Sequence, residues 1–228
     1  MKIKILTLFP ELFSPFLEWS MIKKARSIGA LSLDVMNLRD WGLDKRGTVD
    51  DTPYGGGPGM ILRPEPIYNA LEEIKDNNSH TILLSPKGEK FNQKLAYTLS
   101  GKKDIILICG HYEDVDQRVR EHMIDQEISI GDYVLSGGEI PAMVIVDSVS
   151  RLLPGVLEKE GASEIESFSP QLAKMYGNKT DIDYLEFPQY TKPADFKGWK
   201  VPDVLLSGDH AKIEEWKSKN IKPKKNDA

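Results

Sequence analysis

The sequence predicts an α/β protein built on a mostly parallel sheet, and three observations carry that prediction. Short apolar runs alternate with helix-period segments from residue 2 to residue 129. Such an order calls for strands joined by crossover helices and covered on both faces. The run from Asp104 to Cys109 is almost wholly apolar, as a strand buried on both sides requires. From Ile140 to Leu153 a helix-length segment is apolar on nearly every face, and a helix with so little polar surface must be buried.

Taken in order, Lys2 to Phe9 reads as the first strand. Glu11 to Ile28 reads as one helix, closed by Gly29 in the position that suits a C-cap. Leu31, Leu33 and Val35 alternate with polar residues and give a second strand. Residues 39 to 63 form a long loop that holds Asp50, Asp51 and the run Tyr54, Gly55, Gly56, Gly57, Pro58, Gly59 and Met60. Loops of that length are usually functional or disordered. Ile67, Leu71 and Ile74 mark a helix, His80 to Leu84 a strand, and Phe91, Leu95 and Leu99 a further helix. After the strand at 104 come a short helix from Asp114 to His122 and a strand from Glu127 that breaks at Gly131. Gly137 and Gly138 precede the apolar helix, and Pro141 stands near its first turn, where a missing N–H costs nothing. Two readings of that glycine pair stay open. One is close approach of backbone to a bound group, the other an ordinary buried turn.

In parallel sheets, ligands bind at the carboxyl ends of the strands. Three such ends are unusual here: Ser85 to Gly88, Gly110 to Glu113, and Ile130 to Gly138. Each contains glycine, and together they are placed to line one pocket.

Composition sets the bounds. At 228 residues, with 40% hydrophobic and 29% charged, the chain suits one large soluble domain or one plus a small appendage. Its one cysteine, Cys109, excludes an internal disulfide and fits a reducing compartment, here expected to be the cytoplasm. Lys2 and Lys4 precede an apolar stretch that Pro10 and Glu11 cut short, which reads as a strand and not a signal peptide. No apolar run reaches the roughly 18 residues of a membrane span. The net charge is -5, yet residues 191–228 hold nine lysines against six acids, a weak pointer to a polyanionic partner.

Familiar signatures fail in context. The glycine cluster at 55–59 lacks a Gly-Lys-Ser/Thr ending and is followed by prolines, so no helix N-terminus stands ready for phosphate. Histidines 80, 111, 122 and 210 lack metal-ligand spacing, and no Gly-x-Ser-x-Gly elbow occurs. The residues alone stop at an α/β protein with a glycine-lined pocket and a glycine-rich loop.

A resemblance goes further. Thr48 to Met60, Leu84 to Gly88, Cys109 to Glu113, Ser129 to Gly138, Asp147 to Arg151, Pro154 to Leu157, Pro188 to Pro193 and Val201 to His210 occur in this order. Together they closely resemble the bacterial tRNA (guanine-N1)-methyltransferases of the SPOUT class, over nearly the whole chain. The resemblance implies an α/β domain at 1–157 whose C-terminal portion is tied into a trefoil knot. It further implies an interdomain linker at 158–190 and a shortened helical domain at 191–228. It implies S-adenosylmethionine as cofactor, held by Ser85, Pro86, Gly110, Tyr112, Glu113, Ile130, Gly131, Asp132, Tyr133, Val134, Leu135, Gly137 and Gly138. It implies tRNA with a guanine 3′ of the anticodon as substrate, received by Asp50, Asp51 and Tyr54, Gly55, Gly56, Gly57, Gly59 and Met60. An obligate homodimer is implied, with the apolar helix in its interface, and no membrane partner. The family uses magnesium, for which no ligand set stands out in this sequence.

The same resemblance assigns two catalytic roles. Glu166, in Glu166-Ser167-Phe168, stands where the family has Asp-Ser-Phe and is expected to take the N1 proton of guanine. Arg151 is expected to stabilise charge near the guanine, and Arg46 and Arg63 are candidates for phosphate contacts. His111 stands where arginine is usual, and residues 174–180 form a polar insertion. Two alternatives stay open: a related SPOUT enzyme with another target nucleotide, and a non-catalytic RNA-binding homologue.

Overall fold

The computed structural model describes residues 1–157, 165–177 and 184–223. They fall into two compact units that divide after Glu158. In the first, the described elements are β1 (Lys2–Thr7), α1 (Ser14–Leu17), α2 (Ser20–Ser27), β2 (Ser32–Asn37), β3 (Asp50–Asp51), β4 (Ile61–Leu62), α3 (Pro64–Ile74), β5 (Ser79–Lys90), α4 (Gln93–Ser100), β6 (Asp104–Cys109), β7 (Asp114–Val115), α5 (Gln117–His122), β8 (Gln126–Ser129) and α6 (Glu139–Ser150).

The main sheet has five strands in the order β2-β1-β6-β5-β8, and each adjacent pair is parallel. Because successive side chains of a strand point to opposite faces, each strand feeds two cores. Ile3, Ile5, Ile82, Leu84, Ile105, Leu107 and Cys109 pack on one face with Ala25, Leu95, Leu99, Ala142, Ile145, Val146 and Val149 from α2, α4 and α6. Leu6, Leu83, Ile106 and Ile108 pack on the other with Ile67, Ala70, Leu71 and Val119 from α3 and α5. All six residues of β6 are buried, as its unbroken apolar run predicts. Helix starts follow local chemistry: the Asn92 carboxamide oxygen accepts from Leu95 N at 2.9 Å at the head of α4, and Asp116 caps α5 through Arg118 N.

The mostly parallel α/β sheet is thus as expected, and several elements differ in detail. The helix expected over 11–28 is broken into a 3-10 turn (Pro10–Phe13), α1 and α2, with Ser20 at a φ of 23° where the chain re-enters helix. The loop 39–63 is not structureless. It contains a 3-10 turn at Leu38–Trp41, and β3 and β4 join β7 in a small three-stranded sheet. β5 runs on past Leu84, where the loop Ser85 to Gly88 was expected, and shifts register against β8 between Leu84 and Glu89. The segment at 85–88 is therefore an irregularity within a strand.

One polar group is sunk in the sheet. Lys4 is buried in β1 and donates to Asp104 Oδ2 at 3.0 Å and to the Ile74 carbonyl at 2.7 Å. Ser79 Oγ also donates to Asp104 Oδ2, and Oδ1 of the same carboxylate has no hydrogen-bond partner.

In the second unit, α7 (Pro170–Leu172) leads into a π-helical turn (Ala173–Gly177). β9 (Tyr184–Leu185) pairs with β12 (Lys222–Pro223), and β10 (Asp195–Phe196) forms a hairpin with β11 (Trp199–Lys200). Two helices follow β11, α8 (Asp203–Leu206) and α9 (His210–Asn220). Part of the polar insertion, residues 178–180, lies outside the described residues. Among the described residues no helix is long and apolar enough to cross a membrane.

Candidate active site

The three segments singled out in the sequence meet, one of them inside β5 and the others at the ends of β6 and β8. A cleft of about 640 Å³, measured out to its open mouth, is walled by Ser85 and Pro86 from β5, Gly110 to Val115 after β6, and Ile128 to Gly131 with Tyr133 to Gly138 after β8.

Local geometry sets each wall. Ser85 Oγ accepts from Lys87 N at 3.1 Å and turns the chain inside β5. After β6, Tyr112 takes a left-handed φ of 60°, a conformation costing a residue with a Cβ roughly 1–2 kcal/mol. Its neighbour Glu113 is held by a backbone bond from its N–H to the Met60 carbonyl, 3.0 Å. Beyond β8, Ser129 Oγ donates to the Gly131 carbonyl at 3.0 Å, and Tyr133 Oη donates to the Ile130 carbonyl at 3.2 Å. Gly138 N donates to the Gly110 carbonyl at 2.8 Å and locks the second wall to the third.

Charge is confined to one side. The Arg120 side chain, nearly buried, donates to Asp114 Oδ1, to Glu127 Oε1 at 2.9 Å and to the Val115 carbonyl. Lys87 closes on the other oxygen of Asp114. Burial alone would raise the Asp114 carboxyl, but hydrogen bonds from Lys87 and Arg120 overturn this and hold it below its ordinary 3.8. Beneath the floor, burial pushes the Cys109 thiol well above its ordinary value, and the negative charge of Glu139 adds to that. Cys109 is therefore an inert neutral thiol, as its apolar neighbours suggest.

Of the residues expected to hold a cofactor, Ser85, Pro86, Gly110, Tyr112, Glu113, Ile130, Gly131, Tyr133, Val134, Leu135, Gly137 and Gly138 all line this cleft. Asp132 belongs to the same loop but is not on the wall, and its carboxylate pairs with Lys90. Sequence reading passed over Val115, Arg120, Ile128, Ser129 and Ser136. Short β7 and the capped α5 bring in the first two, and strand periodicity would have pointed to Ile128.

The residues expected to meet substrate lie in the same unit but not on the cleft wall, and they reach it through Gly59 and Met60 at Glu113. Asp50 and Asp51 make up β3, and the exposed turn at Tyr54 to Gly57 leads to Gly59, whose α-carbon packs on the Glu113 side chain. Tyr54 is fully exposed. Arg63, a candidate for phosphate, is already engaged by Asp51 at 2.9 Å and Glu65 at 2.9 Å. Arg151 ends α6 in the first unit. Glu166 opens a turn in the second unit, its carbonyl accepting from Ser169 N at 3.0 Å, while Ser167 Oγ accepts from Glu186 N at 3.1 Å. Among the described residues no group of three or more His, Cys, Asp or Glu side chains is arranged to hold a metal ion.

Comparison with known proteins gives the chain's family. The family profile described as tRNA (Guanine-1)-methyltransferase TrmD matches residues 1–227. A tRNA (guanine-N(1)-)-methyltransferase of Carboxydothermus hydrogenoformans is 54% identical over 219 residues, covering 96% of this chain and 82% of the relative. Proteins of the same name from Dictyoglomus turgidum and Bacillus subtilis are 52% and 50% identical, each over 96% of this chain and over 84% and 86% of their own lengths. With a profile match that spans nearly every residue, the chain belongs to the tRNA (Guanine-1)-methyltransferase TrmD family.

Proposed function

We propose that the protein is a tRNA methyltransferase that moves a methyl group from S-adenosylmethionine to N1 of the guanine 3′ of the anticodon. The observation that carries this reading is the convergence of the β5 irregularity at Ser85 and Pro86 with the ends of β6 and β8 on one cleft in a chain of this family. The residues present fit such a cofactor. Leu84, Pro86, Val115, Ile128 and Leu135 offer apolar walls to a purine, and the glycine-rich loops offer backbone groups to its polar edges. Arg120 is matched by Asp114 and Glu127, and Glu113 adds an acid, so the wall suits a sulfonium cation. When bound, S-adenosylmethionine supplies an electrophilic methyl on positively charged sulfur.

The chain's own residues must do the rest. Guanine N1 carries a proton at neutral pH and is a poor nucleophile until it is removed. Glu166 accepts that proton on its carboxylate, a contribution of about 10²- to 10⁴-fold. The Arg151 guanidinium faces the charge that builds on O6, worth on the order of 10²- to 10³-fold. The exposed Tyr54 to Met60 turn receives the splayed anticodon region, as reading of RNA bases requires. Much of the remaining acceleration comes from holding N1 in line with the transferred methyl.

The reading extends to the assembly. A trefoil knot through the cleft-forming segments, a homodimer and a cytoplasmic location belong to it. Support for the dimer is that α6 is buried along one side only. Ile140 and Val144, one turn apart, are 59% and 38% exposed. An apolar outer stripe of this kind is suited to a second copy, against which the sequence reading expects this helix to bury.

The decisive experiment is a methyl-transfer assay on tRNA transcripts with and without guanine beside the anticodon, using the wild type, Glu166→Ala and Arg151→Ala. Transfer that depends on that guanine and falls at least about 100-fold in both variants is expected. Methylation at another nucleotide would overturn the substrate assignment. Cofactor binding without transfer would indicate the non-catalytic homologue.

A further inference from the structure

Behind the cleft wall lies an acid that the proposed reaction does not use. Glu139 opens α6 and is 5% exposed. Its Oε1 accepts from Thr7 Oγ1 at 2.7 Å, a bond that ties α6 to the end of β1. Its Oε2 lies against Gly137. A Cβ built on that glycine would stand 2.3 Å from Glu139 Oε2 and 2.7 Å from His111 Nδ1. Carboxylate oxygen and imidazole nitrogen thus lie against one glycine, no more than about 5 Å apart.

His111 is fixed in other respects. Its backbone bridges Gly137, and its ring sits edge-on against Phe9 and Tyr112, with centroids 4.9 and 5.0 Å away. The imidazole lines the cleft, yet Nδ1 is buried and finds no hydrogen-bond partner among the described residues. Buried polar atoms are seldom left so. The Tyr112 hydroxyl, on the ring packed against His111, is taken up by Arg39 Nη2 at 3.3 Å. Glu139 Oε2 is a strong acceptor against the same Gly137 position.

We propose that Glu139 is a positioning residue for the cofactor cleft: Oε2 takes the Nδ1–H of His111, fixing the imidazole in that tautomer and leaving Nε2 as a hydrogen-bond acceptor for a ligand N–H or O–H. The chemistry allows one neutral arrangement. An imidazole carries a single N–H, and the bond made by one nitrogen sets the role of the other. A lone pair on Nδ1 would face a carboxylate and be repelled, so the proton sits there. The pair joins the loop after β6 to the head of α6 across Gly137, and so holds two of the three cleft walls in register. The pair stands on the geometry alone; its effect on binding rests on reading the cleft as an S-adenosylmethionine site.

Two measurements test it. Two-bond ¹H–¹⁵N correlation spectra of the full chain, with the His111 signal identified by its loss in His111→Asn, are expected to show Nδ1–H in the wild type and a shift toward Nε2–H in Glu139→Gln. An Nε2–H tautomer in the wild type overturns the proposal. In calorimetry with S-adenosylmethionine, Glu139→Gln and His111→Asn are each expected to weaken binding about tenfold, and the double variant no further, because both remove one interaction. In turnover, Glu139→Gln is expected to raise the cofactor KM while kcat stays within about twofold. Additive losses overturn the pair. Should the wild type show the Nδ1–H tautomer and fail to bind S-adenosylmethionine, the cofactor assignment falls and the pair stands.

Discussion

Gly138 meets Cys109 backbone to backbone: a Cβ on the glycine would stand 2.6 Å from Cys109 Cα and 2.9 Å from Gly110 N. The floor of the cleft is therefore closed by the absence of one methyl group. Gly138→Ala is expected to force α6 away from β6, costing about 1–3 kcal/mol of stability by overpacking. S-adenosylmethionine affinity should fall more than tenfold with it. Urea unfolding and calorimetry on the same sample check both, and a variant with unchanged binding would show that the contact does not shape the cleft.

Lys4 and Asp104 present a separate case, remote from the chemistry. Both are buried and ion-paired at 3.0 Å. Removing one partner of such a pair leaves an uncompensated buried charge, so Lys4→Met is expected to cost about 3–5 kcal/mol. The double change Lys4→Met with Asp104→Leu should recover most of it. Urea midpoints of the three variants decide the matter; a double variant as unstable as the single would refute this account.

Acid should loosen the cleft wall. The Asp114 carboxyl is held below its ordinary 3.8 because hydrogen bonds from Lys87 and Arg120 outweigh burial. A carboxyl depressed in the folded state stabilises it at pH values above the ordinary one, and that contribution disappears as pH drops through the folded value, below 3.8. The pair with Lys87 is partly exposed, so its share is under about 1 kcal/mol. Lys87→Met is expected to lower stability near neutrality by up to that share and to flatten the acid side of the stability-versus-pH curve, the two proteins converging at the lowest pH, as urea unfolding across pH checks.

The glycine-rich turn offers a matched pair of variants. Gly56 and Gly59 both have φ near +79°, so alanine at either costs roughly 1–2 kcal/mol in backbone conformation. Around Gly56 nothing lies within 4 Å, whereas a Cβ on Gly59 would be 2.3 Å from Glu113 Cγ. Only Gly59→Ala should therefore weaken S-adenosylmethionine binding, by about three- to tenfold in calorimetry. Equal losses in the two variants would contradict this coupling of turn to cleft.

These contacts also show why the sequence was legible in part. The strands and their parallel order follow from unbroken apolar runs such as Asp104 to Cys109, whose burial on both faces leaves no other reading. The three cleft walls were visible because strand ends, glycine and polar residues coincide at 85–88, 110–113 and 130–138. What Gly137 and Gly138 do was not visible. Their missing Cβ atoms make room for Glu139, His111 and the Cys109 backbone, and those contacts arise from residues far apart in sequence. The break at Ser20 was hidden because Glu11 to Ile28 keeps a helical period across it. Asp132 was grouped with the cleft by its neighbours, while its side chain turns to Lys90. Exposure of Ile140 and Val144 could not be read from a helix apolar on nearly every face, because periodicity carries no information once every position is alike.

The strand order has a consequence for biosynthesis. β1 is made well before β6, the central neighbour it pairs with, Lys2 opposite Asp104 and Ile5 opposite Leu107. Roughly a hundred residues must leave the ribosome before that neighbour exists, and parallel pairing over such separations is slow. Until then, half of an apolar strand stands uncovered on the nascent polypeptide, where chaperones meet it.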